Sequence, residues 1–371
     1  MNVKSFFKRF LLVICLVLLG FALASITVIV VVFKDEIKSL TNLEQIDDYG
    51  VYQMTYYGDY NLDKLLEKGI NKDSDIGRFV TDNFTERLPL IGLENFFNAK
   101  LGIVESGCTA FITRNEKGDV IYGRNYDYIY SPSLVLKTAP ENGYASVSTV
   151  NLRLLGFGTD NLPENLKEET TPSKFINMLI LLSPYLPLDG MNEKGVAVSM
   201  LTVPASCTPY DPGKKSLNPT VAIRLILDKA ANVDEALSLL NDYNIYFSGN
   251  IPTHFFIADE SGRSVIVEFL DKEMKVIEAD EDYQIASNFL AYDDRNPGTG
   301  YDRYDLVESK LKNSEGFISN NDALELLARV GVYDDGDDYL QWSVLYNLSR
   351  QDSELFAHRQ VKHRTYFTLH E

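Results

Sequence analysis

The sequence is short of the side chains that most often carry chemistry. It has three cysteines, four histidines and one tryptophan in 371 residues. No CxxC pair occurs, and His254, His358, His363 and His370 show no ligand spacing, which leaves a zinc site without support. The GxGxxG fingerprint, the Walker loop and the GxSxG elbow are absent, so a dinucleotide fold, a P-loop NTPase and an α/β-hydrolase lose their usual signatures. Positive charge is scarce too. Against 53 acidic residues stand 35 basic ones, giving a net charge of −18. Such a surface repels phosphate backbones, so nucleic acid is not expected as a partner, and docking on anionic lipid is disfavoured. Asp334-Asp335-Gly336-Asp337-Asp338 lacks the ligand pattern of a calcium loop and reads as a solvated turn.

What is present starts with an apolar run. Residues 10–33 carry no charge. At about 1.5 Å per residue the run is long enough for a bilayer core of about 30 Å. Lys4, Lys8 and Arg9 precede it, and Lys34, Asp35, Glu36 and Lys38 come after it, which places the bulk of the chain outside the cytoplasm. The rival is a signal peptide cut near Ala22-Leu23-Ala24. Its apolar region is usually about 7–15 residues, shorter than this run, which favours an uncleaved anchor. Cys15 comes after bulky Ile14, a poor context for lipidation. Outside the cell disulfides are permitted, and a Cys108–Cys207 bridge is the plain reading of the other two cysteines.

Residues 35–60 are polar and tyrosine-rich and read as a stalk. Residues 61–70 and 73–87 read as short helices, with Asp73 or Ser74 as a cap. Residues 108–114 and 120–128 alternate as strands do around the turn Asn115-Glu116-Lys117-Gly118. The same tetrapeptide, Asn192-Glu193-Lys194-Gly195, precedes a strand at 196–201. A third hairpin is expected from 253–258 and 264–269 around Asp259-Glu260-Ser261-Gly262. A fourth is expected from 275–277 and 284–287 around an acidic turn. Helices are expected at 172–182, 220–231, 301–311 and 322–330, and from a cap at Asn232 to Leu240. Antiparallel strands with grouped helices argue for an α+β layered fold. The apolar run 176–188 reads as core, with an acyl-pocket wall or a membrane-leaning patch as the alternative.

Pairing arithmetic makes the first hairpin informative. A turn centred near Lys117 sets Cys108 beside Tyr126, so Arg124 and Asp127 fall within a side chain's reach of the thiol. A thiol of pKa near 8.5 needs a base or a cation to react at neutral pH, and no histidine is close in sequence. An α-amino group, with pKa about 7.7–8.0, suits general-base work. Cutting the Gly107–Cys108 bond would put that amine on the residue that carries the sulfur. Glycine at 107 lets the scissile peptide bend. An arginine would stabilise the thiolate and an aspartate would orient the amine. The plain alternatives are a buried thiol at Cys108, a surface salt bridge for Arg124 and Asp127, a turn residue at Asn288 and a solvated helix residue at Arg303. Cys207 reads as structural and His254 as a satisfied core or interface histidine.

Gly107-Cys108-Thr109-Ala110-Phe111 followed by Gly123-Arg124-Asn125-Tyr126-Asp127 resembles the choloylglycine hydrolase and penicillin V acylase group of N-terminal nucleophile (Ntn) hydrolases. Relatives with a pro-segment are similar too: the isopenicillin N acyltransferase-like proteins and the acid ceramidase and N-acylethanolamine amidase branch. Asp189-Gly190-Met191-Asn192-Glu193-Lys194-Gly195 resembles the group's second signature, Ala286-Ser287-Asn288 its asparagine strand end, and Asp302-Arg303-Tyr304 its late arginine. The resemblance covers residues 50–371. It implies a four-layer αββα sandwich with Cys108 as nucleophile and, through its freed amine, base. Arg124 and Asp127 are then the supporting pair, Asn288 an oxyanion donor and Arg303 a further stabiliser. Where bile-salt hydrolases carry Leu-Asn-Phe-Pro, this chain has Leu201-Thr202-Val203-Pro204. If that asparagine acts through its backbone N–H, Thr202 supplies the same oxyanion donor; if its side-chain amide acts, the hole is weaker or reshaped, and losing one donor costs roughly a hundredfold or more in rate.

The expected organisation is a cytoplasmic basic tail at 1–9, a transmembrane anchor at 10–33, a stalk and helical pro-segment at 34–107 and a catalytic domain at 108–371. The expected activity is hydrolysis of a linear non-peptide C–N amide through an acyl-thioester, with autocleavage between Gly107 and Cys108. No cofactor or metal is implied. Substrates in view are conjugated bile salts, penicillin V, acyl homoserine lactones and N-acyl amino acids or lipids. Residues 61–87 are expected to hold the two fragments together, or else the catalytic one is released. The alternatives are an acyltransferase using the same thioester and a non-catalytic membrane-anchored binding module with Cys108 internal. The catalytic domain is expected at the cell surface, or secreted if the anchor is cut.

Overall fold

The computed structural model of the chain describes residues 3–88, 107–157, 176–292, 298–334 and 337–370. Before Gly107 lie helices α1 (Val3–Val32), α2 (Lys34–Thr41), α3 (Leu62–Lys68) and α4 (Ser74–Arg87), and strands β1 (Glu44–Gln45) and β2 (Val51–Tyr56). From Gly107 onward come β3 (Gly107–Arg114), β4 (Val120–Asp127), β5 (Ser133–Thr138), β6 (Ser146–Asn151), β7 (Pro187–Asn192) and β8 (Ala197–Thr202). Helices α5 (Pro219–Lys229) and α6 (Val233–Asn241) are next, then β9 (Thr253–Ala258), β10 (Ser264–Leu270), β11 (Glu273–Glu278) and β12 (Gln284–Ala286). Helices α7 (Tyr301–Asn313) and α8 (Asn320–Val330) and strands β13 (Leu340–Asn347), β14 (Asp352–Ala357) and β15 (Thr365–Thr368) complete the chain.

Two large sheets face each other. One has nine strands in the order β1-β2-β5-β6-β7-β8-β9-β10-β11, and the other six in the order β12-β3-β4-β13-β14-β15. They meet through β3 against β8 and β10 against β12. Helix α5 covers β7 and β8, while α7 and α8 cover β3, β4 and β13 from the other side, giving a helix–sheet–sheet–helix order. This explains why β4 is buried at every position: its two faces meet two different cores. Tyr122, Arg124 and Tyr126 point between the sheets, and Ile121 points under α8 with Phe111, Leu324 and Leu327.

The helices begin where capping chemistry allows. Asn218 accepts from Val221 N ahead of Pro219, Asn232 from Glu235 N, and Ser319 from Asp322 N. The repeated tetrapeptide builds one turn twice. Asn115 Oδ1 takes the N–H groups of Lys117 and Asp119, and Asn192 Oδ1 takes those of Lys194 and Val196. Each turn ends on a glycine at positive φ, +84° at Gly118 and +70° at Gly195, where other residues are strained.

Three expectations change. The segment expected as a stalk is built into the fold: β2 pairs in parallel with β5, and Val51 and Met54 are buried in the main core. Its apolar residues, spaced among tyrosines, serve a sheet face. The expected fourth hairpin does not form. β11 pairs with β10 in one sheet, while β12 crosses to pair with β3 in the other. The expected 172–182 helix begins outside the described residues; its described part is a single turn, Ile176–Leu179, leading into a 3₁₀ turn, Ile180–Tyr185, that contains Pro184. Residues 179–188 are buried, in line with the core reading of that run. Among the described residues no single helix is long and apolar enough to cross a membrane. The pair Leu18–Val32 and Lys34–Thr41, bent by 77°, meets that length and composition only together.

Candidate active site

The hairpin of β3 and β4 sets the geometry. Cys108 pairs with Tyr126 and Gly107 with Asp127, the register read from the turn. Alternation then puts Arg124 on the same face as Cys108 and Asp127 on the opposite one. Arg124 Nη2 lies 3.7 Å from Cys108 Sγ and 3.1 Å from the Met200 carbonyl oxygen. Its Nη1 stands 3.0 Å from Asp189 Oδ2 as an ion pair without hydrogen-bond alignment. Both partners are fully buried, and Asp189 is further held by Tyr346, whose hydroxyl donates to Oδ1 at 2.6 Å. Burial pushes the Asp189 carboxyl up, with Arg124 and Tyr346 pulling it back.

A second set of groups gathers on the backbone of Cys108. The N–H of Cys108 donates to Asn288 Oδ1 at 2.7 Å. Arg303 Nη2 donates to the same oxygen at 2.8 Å, and Arg303 Nη1 donates to the Cys108 carbonyl at 2.7 Å and to Thr109 Oγ1 at 2.9 Å. Ser287 Oγ adds a longer bond of 3.3 Å to that carbonyl. Asn288 Nδ2 donates to both the carbonyl oxygen and the hydroxyl of Thr202, at 2.8 and 3.0 Å. The two residues expected as oxyanion donors are thus bonded to each other, with Thr202 offering its oxygens. Asn288 arrives because β12 pairs with β3, setting Ala286 opposite Ala110, and Arg303 because α7 packs on β3.

Asp127 lies beside the expected scissile bond. A Cβ built on Gly107 would stand 2.8 Å from a methyl of Val332 and 3.1 Å from Asp127 Cβ, so only glycine fits there without displacement. Asp127 Oδ1 accepts from Val332 N at 3.0 Å, and Oδ2 is 3.5 Å from Arg303. Burial lifts the Asp127 carboxyl to about 6, against the pull of Arg303 and the Val332 N–H. Over this corner opens a cleft of about 690 Å³. Gly107, Thr202, Asn288 and Arg303 lie on its wall with apolar Val203 and Val332, while Cys108 is 1% exposed.

The structure therefore brings together Gly107, Cys108, Arg124, Asp127, Thr202, Asn288 and Arg303. It does not join Cys108 to Cys207. Neither sulfur is in a disulfide; one is buried and the other exposed, so the plain disulfide reading is overturned by position in the fold. Sequence reasoning missed Asp189 as the partner of Arg124, together with Tyr346 and Ser287. Asp189 opened the second signature, but an ion pair between two sheets has no mark in local spacing.

Comparison with known proteins adds the family. Residues 108–327, more than half of the chain, match the linear amide C–N hydrolases of the choloylglycine hydrolase family. The chain is 28% identical over 196 residues to a bile salt hydrolase/transferase of Clostridium perfringens, covering 50% of this chain and 54% of that protein. It is 33% identical over 116 residues to a penicillin V acylase of Pectobacterium atrosepticum, covering 28% of this chain and 31% of that one. The matched regions thus span about half or less of these curated relatives. In fold it is similar to the conjugated bile acid hydrolase of Clostridium perfringens, with a TM-score of 0.50 at 17% identity, covering 71% of this chain and 92% of that structure. The fold is a mixed α+β scaffold of the kind seen in that hydrolase. The chain belongs to the choloylglycine hydrolase family.

Proposed function

We propose that the protein is a self-processing N-terminal-cysteine amidase acting on a linear non-peptide C–N amide. One observation carries this reading: the Cys108 thiol faces a buried guanidinium, while its backbone N–H and carbonyl are each held by a dedicated side chain. The family match starts at Cys108 itself, which supports residue 108 as the head of the catalytic chain. In maturation, Sγ attacks the Gly107 carbonyl carbon, the C–N bond to Cys108 breaks, and the thiol proton passes to the departing nitrogen. Water then cleaves the thioester, leaving a Gly107 carboxylate, a restored thiol and a free α-amine. In turnover that amine takes the thiol proton as Sγ attacks the substrate carbonyl, and delivers it to the leaving amine. Water releases the acid. Arg124 favours the thiolate, Asn288 and Thr202 line the place where the oxyanion forms, and Arg303 and Asp127 fix the new terminus.

The substrate in this reading is an N-acyl compound such as a conjugated bile salt, penicillin V or an N-acyl amino acid or lipid, its acyl group against Val203 and Val332. The name of the Clostridium relative includes transfer, which favours one second reading: the same thioester handed to an amine instead of water. In this reading the N-terminal segment, where α1 and α2 meet the length and composition of a span only together, tethers the enzyme with the catalytic domain outside. The support for this is the uncharged run at 10–33, the basic residues ahead of it and the exposed Leu18, Leu23 and Ile26. The test is the mass and N-terminal sequence of purified protein, followed by a screen of these amides on wild type and Cys108→Ser. Fragments 1–107 and 108–371 with thiol-dependent amide cleavage are expected. A competing amine that diverts the acyl group marks transfer.

A further inference from the structure

Two buried ionisable side chains stand outside the chemistry above. His254 on β9 and Glu268 on β10, each next to the paired Phe255 and Val267, are each 1% exposed, with Nδ1 3.0 Å from Oε1. Glu268 does more than meet the histidine. Its Oε1 also accepts from Ala291 N at 2.7 Å, and its Oε2 accepts from Tyr292 N at 3.1 Å. One carboxylate therefore holds an imidazole and two successive backbone N–H groups of the segment that leaves Asn288. His254 Nε2 has no hydrogen-bond partner among the described residues, so the imidazole is tied to the protein through Nδ1.

The place of this pair gives it meaning. His254 lies opposite Leu201, and the adjacent Thr253 lies opposite Thr202. The Val203 N–H donates to the Pro252 carbonyl at 2.9 Å. The strand that carries His254 thus fixes one wall of the site, and Glu268 fixes the segment behind the other wall. Asn288 and Thr202 are the residues where the two walls touch. A buried carboxylate placed among apolar strands is costly unless its oxygens are bonded, and here three donors meet that need from two separate elements.

We infer that Glu268, oriented by His254, is a positioning residue that holds the 289–292 segment so that Asn288 keeps its bonds to Cys108 N and to Thr202. The inference rests on the proposed role of Asn288 in the self-cleaving site. A misplacement of about 1 Å at such a group costs up to about a hundredfold in rate. Glu268→Gln swaps one acceptor for a donor that faces existing donors, so the segment loosens.

The experiment tracks scission of the full chain in detergent after refolding from urea, with the 108–371 fragment quantified by mass. Wild type is measured first; if it never cuts, the reading of the site fails. With wild type cutting, Glu268→Gln is expected to slow scission about tenfold to a hundredfold. Added to Asn288→Ala it is expected to slow scission no further, because both act through the same bond. His254→Asn, which keeps a donor near the Nδ1 position, is expected to cut within about threefold of wild type, and His254→Leu to be slowed like Glu268→Gln. If Glu268→Gln does not fold, the two His254 variants decide alone. Wild-type scission rates in Glu268→Gln or His254→Leu, or a full additional loss in the double variant, would overturn the inference.

Discussion

Two arginines are buried in this molecule in nearly the same company, and their hydrogen bonds are met to different degrees. Arg124 sits between the sheets with Asp189 and Tyr346. Arg224, on the buried face of α5, sits with Asp228 one turn on and with Tyr60, whose hydroxyl meets Asp228 Oδ2 at 2.5 Å. Arg224 has every nitrogen bonded: Nε to the Pro184 carbonyl, Nη1 to Thr138, Ser146 and Asp228, and Nη2 to Ser148, all between 2.7 and 3.3 Å. Arg124 has Nε and Nη1 without aligned hydrogen bonds, and its Nη2 faces a sulfur. A cation whose donors are all met is a fastener. In the proposed mechanism, a cation with donors in reserve beside a thiol meets charge that appears during the reaction. Arg224 fastens the segment before Gly107, through Tyr60, to the strands beyond it, so the two parts are joined without help from the 107–108 bond.

Substitution can separate the two roles. The largest effect is expected from Cys108→Ala, which removes the proposed nucleophile and should leave one uncut chain of 371 residues by intact mass. Next is Arg224→Met, which strands Asp228 as a buried charge and should cost about 3–5 kcal/mol in urea unfolding. The folded fraction should still cut itself at the wild-type rate. Arg124→Met should cost a similar amount of stability and also stop scission; equal cutting by the two variants would erase the distinction between them.

A smaller effect concerns pH. Burial lifts the Asp127 carboxyl from its usual 3.8 to about 6. Between those values the folded chain keeps a proton that the unfolded chain has released, so stability falls as pH rises through the window, by about 3 kcal/mol at most. Asp189 and Asp228 are shifted the same way by burial. Asp127→Asn should make the decline between pH 4 and 6 shallower in denaturant titrations, and an unchanged slope would contradict the burial argument. The smallest effect should come from the tyrosines. Tyr60→Phe and Tyr346→Phe each remove one bond to a buried carboxylate and should cost about 1.5–3 kcal/mol alike. Only Tyr346→Phe should slow alkylation of the Cys108 thiol, since only its aspartate aims an arginine at sulfur.

Much of this was legible in sequence because it is local. The Asn-Glu-Lys-Gly turns set the hairpins, and one of those turns alone fixes Cys108 opposite Tyr126 and Arg124 on its face. The cap expected at Asn232 is likewise a statement about three neighbouring residues, whereas Asp73, also expected as a cap, makes no side-chain capping bond. What stayed hidden depends on pairing across the chain. The crossing of β12 from its neighbour β11 to β3 brings Asn288 to the cysteine, yet 284–287 read locally as the return strand of a hairpin. Val51–Tyr56 read as a tyrosine-rich stalk because its partner strand begins at Ser133, far along the chain. The Arg124–Asp189 pair joins two sheets, and no spacing rule spans that gap.

The proposed activity depends on a covalent event at one peptide bond, and Edman sequencing of purified, amide-cleaving protein addresses it directly. The expected result is a second N-terminus reading Cys-Thr-Ala-Phe, from Cys108, alongside that of the tethered fragment. Fully active protein in which residue 108 is still joined to Gly107 would contradict it.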